Sequence, residues 1–166
     1  MTVFESYPKN SYLRIFAAAR GLTAAEQATV TSGLKSFLGQ WTAHEAPVTG
    51  TFEIVHDRFI VIGADESKVG LSGCSKDSLS ICMRELGAAL GVELVHAPPI
   101  VYRDDQGIHS VTRDVFGQRI AEGQVDGNTV VYDLTIIAVG PYVEGRFETR
   151  AADCWHARAW DLGAPA

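Results

Sequence analysis

Thr51-Phe52-Glu53-Ile54-Val55-His56-Asp57-Arg58-Phe59-Ile60-Val61-Ile62-Gly63 is the stretch on which the fold turns. Thr51–His56 and Phe59–Gly63 are β-branched and aromatic runs, and Asp57-Arg58 separates them, so two strands joined as a hairpin are predicted. Upstream, Tyr12-Leu13-Arg14-Ile15-Phe16 reads as a first strand ended by Gly21. Thr23-Ala24-Ala25-Glu26 then forms a capping box, in which the Thr oxygen takes an orphan backbone N–H and the Glu side chain returns the bond. The helix it opens sets Val30, Leu34, Phe37, Leu38 and Trp41 on one face. Gly33 and Gly39 weaken that helix by about 1 kcal/mol each, so packing must hold it. Downstream of the hairpin lies a polar, glycine-bearing loop, Ala64 to Ser75. A second helix follows with Leu79, Cys82, Met83, Leu86 and Leu90 in register, stopped by Gly91. Ile100–Tyr102, introduced by Pro98-Pro99, reads as a fourth strand. The order β-α-β-β-α-β is the split βαβ, ferredoxin-like plan: an α+β fold with one antiparallel sheet and two helices on one face.

Residues 1–103 are therefore expected to form the core domain and residues 104–166 a small α+β appendage. In the appendage Thr112 is placed to cap a helix over Asp114–Glu122, closed by Gly123. Thr129–Ile137 reads as a strand after the Asp126-Gly127-Asn128 turn, and Phe147–Trp160 has aromatics without a clean period.

At 166 residues the chain can bury a core without staples. Apolar residues make up 46% and charged ones 20%, a globular composition rather than a disordered one. The net charge is −6, with ten acidic against five basic groups in residues 104–166. Such a balance disfavours nucleic acid and anionic lipid as partners. The three cysteines, Cys74, Cys82 and Cys154, form no CxxC pair, so no disulfide framework is expected. The first ten residues lack the charged-then-apolar pattern of a secretory signal, and no apolar run is long enough to cross a bilayer, so the expected location is cytoplasmic.

The chemistry is expected in the loop from Asp65 to Ser78. It joins a strand to a helix start, where unpaired N–H groups and the positive end of the helix dipole favour an anion. Gly70 and Gly73 let the backbone approach such a ligand. Asp65, Glu66, Ser72, Gly73, Cys74, Ser75, Lys76 and Ser78 are the candidate ligand-binding residues, and Lys76 brings a cation. Cys74 at the helix start would have a stabilised thiolate, which makes it a candidate nucleophile. The same residues have a plainer reading: Ser75 caps the helix, the glycines turn the chain, Cys74 packs, and Asp65 and Glu66 are solvated carboxylates.

No pair of histidines has metal-ligand spacing, and Cys154-x-His156 is the single close Cys–His spacing, so neither metal nor cofactor is expected. A catalytic pairing of Cys74 with His156 is conceivable as chemistry, while Trp155 and Trp160 beside His156 suggest an aromatic cap over a sheet. The phosphate loop GxxxxGK[ST], GxGxxG, the GxSxG elbow and the kinase motifs are all missing.

Phe37–His44 (FLGQWTAH), Arg58–Glu66 (RFIVIGADE), Ser72–Ser78 (SGCSKDS), Glu122–Asp133 (EGQVDGNTVVYD) and Cys154–Arg158 (CWHAR) carry a resemblance. In these segments the chain resembles a group of short bacterial proteins of uncharacterised function, common in Bacteroidetes, that carry the label "ABC transporter ATPase". Cys154 stands where that family tends to have Ser, and Lys76 where it has an apolar residue. Leu71-Ser72-Gly73-Cys74-Ser75 is similar to the LSGGQ signature of transporter ATPases, but without a phosphate loop and its lysine that element cannot hydrolyse ATP alone. The tail, with a helix, a Gly, Thr-Val-Val and a later Trp, is similar to GYF-like interaction modules, which implies docking to a partner or to the first domain.

The expected function is non-catalytic: a binding or adaptor protein that recognises a small anion or a protein partner through the 65–78 loop. The alternatives are a thiol enzyme or redox protein using Cys74, and a structural homodimer that buries an open sheet edge.

Overall fold

A computed structural model describes residues 1–95 and 100–162. The expected Pro98-Pro99 lead-in and His96 lie outside the described residues. In chain order the elements are β1 (Leu13–Ala17), α1 (Ala24–Gln40), β2 (Thr42–Ala43), β3 (Ala46–Pro47), β4 (Thr49–Val55), β5 (Phe59–Asp65), α2 (Gly73–Leu90), β6 (Ile100–Asp104), β7 (Gly107–Val111), α3 (Arg113–Ala121), β8 (Val130–Tyr132), α4 (Val139–Val143), β9 (Glu148–Arg150) and α5 (His156–Ala159). The class is α+β, and every strand pairing is antiparallel. These elements fall into two compact units. One holds residues 1–95 and 135–144, the other residues 100–134 and 145–162.

In the first unit a three-stranded sheet has the order β1-β5-β4. The hairpin reads as expected, with Val55 opposite Phe59, but its turn sits one residue early. His56 and Asp57 take φ of 51° and 58°, the two left-handed central residues a tight hairpin turn requires. Helices α1 and α2 pack on the face that carries Phe16, Ile60 and Ile62, and bury Val30, Leu34, Leu79 and Met83. The Thr23 capping box is present: Glu26 N donates to Thr23 Oγ1 at 3.1 Å and Thr23 N to Glu26 Oε2 at 2.9 Å. Gly33 is the point of close approach between the helices, since a Cβ there would meet Leu86 at 2.6 Å.

The opposite face is covered by the start of the chain and by α4. Phe4 is wholly buried and makes edge-to-face contacts with Tyr7 and Tyr142. Glu53 Oε1 ties this cover down by accepting from Tyr142 Oη at 2.6 Å and Thr2 Oγ1 at 2.7 Å.

The strand order departs from the ferredoxin-like plan at the fourth strand. Ile100–Tyr102 does form a strand, but it belongs to the second unit, where Ile100–Asp104 pairs with Gly107–Val111 and Tyr102-Arg103 with Val130-Val131. The Asp104–Gly107 turn makes that hairpin a local closure, which costs less chain entropy than a return to β1 across α2. The free edge of β1 is taken instead by a distant segment. Leu13 N donates to Ile137 O at 3.1 Å, Val139 N donates to Ser11 O at 2.9 Å, and Tyr12 and Ala138 form an antiparallel bridge. The strand expected over Thr129–Ile137 is therefore only Val130–Tyr132, because the chain leaves the second sheet before Ile137.

The second unit is a four-stranded sheet, β7-β6-β8-β9. Thr112 caps α3 by accepting from Val115 N at 3.2 Å, and Gly123 follows at φ 75°. Phe116 packs on Tyr102 within a core that includes Ile100, Val125, Val131 and Ala151. Among the described residues no helix is long and apolar enough to cross a membrane.

Candidate functional site

Most of the loop expected to meet a ligand is occupied with holding itself. Asp65 Oδ1 accepts from Ser67 N at 2.9 Å, and its hydrogen bonds from Ser67 hold the carboxyl below its ordinary range. Glu66 is a brace between segments: Oε1 accepts from Tyr12 N at 2.7 Å and Oε2 from Leu71 N at 2.9 Å. Its own N–H donates to the buried Ser11 hydroxyl at 3.1 Å.

Ser72, not Ser75, is the N-cap of α2. The two serines make a reciprocal box, with Ser75 N donating to Ser72 Oγ at 3.1 Å and Ser72 N to Ser75 Oγ at 2.7 Å. Lys76 N is turned onto Ser72 O at 3.1 Å. Ser78 Oγ donates to Cys74 O at 2.9 Å. Gly73 opens the helix with open space where a Cβ would stand. Cys74 is exposed on the first turn. The helix start is thus largely closed by its own side chains.

A different constellation opens beside it. Asn10, Tyr12, Arg14, Glu66, Lys76, Ile137 and Ala138 line a cavity of about 520 Å³. Alternation along β1 puts Tyr12, Arg14 and Phe16 on the helix-bearing face. There Arg14 Nη1 donates to Ser80 Oγ of α2 at 3.0 Å, and its guanidinium lies over the Phe16 ring, 4.7 Å from the centroid. Lys76 Nζ stands over the same phenol ring, 5.2 Å from its centroid. Burial pushes the Tyr12 phenol up, against the opposing pull of Arg14, so it is a neutral hydrogen-bonding group at neutral pH.

Neither Arg14 nor Lys76 has an ion-pair partner among the described residues. The one carboxylate on the wall, Glu66, has both oxygens engaged by backbone N–H groups. Two of the sequence candidates, Glu66 and Lys76, thus line the cleft. Asn10, Tyr12, Arg14, Ile137 and Ala138 were not among them. Their one signal in the sequence is Arg14, a charged residue within an apolar strand, since nothing local announces that Ile137 returns to Tyr12.

His156 lies in the second unit, and its neighbours there are aromatic. It stacks on Trp155 with ring centroids 4.0 Å apart, and Trp160 and Phe116 complete the surround. The residue is 0% exposed and both ring nitrogens are buried without a hydrogen-bond partner. Burial, helped by Arg113 and opposed by Asp133, lowers its pKa to about 4. Cys154, half-buried near Asp133, has its thiol pushed up to about 11 by burial and by that carboxylate. At neutral pH the Cys154 thiol is thus held protonated and the His156 imidazole neutral. Among the described residues no three His, Cys, Asp or Glu side chains gather as a metal site would require.

Fold and cleft together define a two-unit α+β protein with an arginine- and lysine-lined cavity between β1 and the first turns of α2. Compared with known protein families, curated proteins and solved structures, the chain has no match in any of the three.

Proposed function

We propose that the protein is a binding protein that takes an anionic ligand in the β1–α2 cleft. The observation that carries this reading is the pair Arg14 and Lys76: two cations facing one cavity without an ion-pair partner among the described residues, in a chain whose net charge is −6. An unneutralised guanidinium held in place by Ser80 and the Phe16 ring is preorganised to receive an oxyanion, because its planar fork loses little freedom on binding. Lys76 adds a point charge, and its place in the first turn of α2 adds the favourable end of the helix dipole. The loop from Asp65 to Ser78 contributes by positioning, through Glu66 and the serine box, more than by contact. Chemistry at the cleft is not part of the proposal.

The test is a titration of the isotope-labelled chain with acetate, phosphate and sulfate at constant ionic strength, followed by the amide signals of Tyr12, Arg14 and Lys76. At least one anion is expected to move these signals saturably, and Arg14→Gln or Lys76→Gln to weaken that binding by tenfold or more. If no anion moves them, the proposal fails.

A further inference from the structure

Resting on the reading of the cleft as an anion site, we infer that its ligand is a singly charged carboxylate with an apolar group beside the charge. The charge balance of the walls is the first argument. Arg14 and Lys76 supply two positive charges and Glu66 one negative, which leaves one positive. A carboxylate matches that balance. A doubly charged phosphate does not, and it would meet Glu66 across the cavity. Glu66 cannot move aside, since its oxygens fix the amides of Tyr12 and Leu71 at 2.7 and 2.9 Å.

The apolar wall is the second argument. Ile137 is 72% exposed and lines this same cavity, with Ala138 and Tyr12 alongside. A large aliphatic side chain left open inside a cation-lined cavity is surface that an apolar ligand group removes from water. The wall is held in place: Ile137 O accepts from Leu13 N at 3.1 Å, and Ala138 bridges to Tyr12. About 520 Å³ is room for a small organic acid, within the usual range of ligand clefts. Arg14 would take the two carboxylate oxygens with the guanidinium donors that Ser80 leaves over.

The inference is tested on the full chain by titrating acetate, hexanoate, inorganic phosphate and sulfate at pH 7.5 and fixed ionic strength, read from the Ile137 methyl and Tyr12 amide signals. Each methylene fully covered by the wall is worth about fourfold in affinity. Hexanoate is therefore expected to bind at least tenfold more tightly than acetate or phosphate. Ile137→Ser should bring hexanoate to within threefold of acetate, whereas Ile81→Ser, an exposed isoleucine of α2 outside the cleft, should leave it unchanged. Phosphate or sulfate binding as tightly as hexanoate overturns the carboxylate inference and leaves the anion reading standing. Hexanoate no tighter than acetate overturns the apolar part, and silence from all four ions ends both readings.

Discussion

Glu66 and Cys74 sit eight positions apart in one loop, and their surroundings give them opposite characters. Glu66 looks like a candidate acid or ligand, yet both its oxygens are bonded to main-chain N–H groups, so it is part of the frame. Cys74 reads in the sequence either as a candidate nucleophile or as a packed small side chain, and it is exposed on the first turn of α2. Cys82 lies half-buried on the same helix, and burial together with Glu85 raises its thiol. Cys154 is raised further, to about 11. Since the thiolate is the reacting form, and Cys74 is exposed while burial raises the thiols of Cys82 and Cys154, iodoacetamide at pH 7.5 is expected to label Cys74 at least tenfold faster than Cys82 or Cys154. Peptide mapping by mass spectrometry reads the three rates separately. Equal rates would mean that the helix start shields the sulfur as well as the amides.

At the level of elements, three glycines separate space from propensity. Gly63 lies in β5, where a Cβ would come within 2.6 Å of Phe4, a ring that is 0% exposed and has nowhere to go. Gly63→Ala is expected to destabilise the first unit by about 1–3 kcal/mol. Gly39 in α1 has nothing within 4 Å, so Gly39→Ala should raise stability by up to about 1 kcal/mol through helix propensity alone. Gly33 falls between them, because the atoms a Cβ would meet belong to the flexible tip of Leu86. Urea midpoints of the first two variants should move in opposite directions; movement in the same direction would contradict the packing of the N-terminal cover on β5. The sequence discloses what is decided within a turn or two of chain. The hairpin, the Thr23 box, the α2 face, the Gly91 stop and the Thr112 cap are all local competitions between backbone and side chain, and all are where the pattern puts them apart from the hairpin turn, which comes one residue early. The partner of an edge strand is not a local matter. Ile100–Asp104 carries the same β-branched signature whichever sheet it joins, and only the short turn after Asp104 favours Gly107–Val111. The cleft is hidden for the same reason, since its apolar wall at Ile137 is 125 positions from Tyr12 and reaches it through main-chain bonds that no side-chain pattern encodes.

For the molecule as a whole, the two units differ in how they carry buried polarity, and acid should tell them apart. In the first unit the described histidines, His44 and His56, are exposed. In the second unit His156 is sealed among Phe116, Trp155 and Trp160, with Arg113 and Asp133 as the charged groups that act on it. Its folded pKa of about 4 lies below the ordinary 6.5, so the unfolded chain takes up the proton first. The neutral ring's contribution is therefore fully present above pH 6.5, declines as the pH falls, and is lost by about pH 4. The loss amounts to roughly 3 kcal/mol, a large part of the stability of so small a unit. Hydrogen exchange at pH 7 and pH 4.5, corrected for the intrinsic rates, should show protection falling in α3 and β8 while α2 keeps its own. One variant isolates the imidazole: His156→Phe keeps the ring in its aromatic stack, removes both unpartnered nitrogens, and should abolish most of the pH-dependent loss while raising stability at pH 7. An unchanged acid profile in His156→Phe would assign the loss to groups other than this imidazole, and would mean that water reaches it.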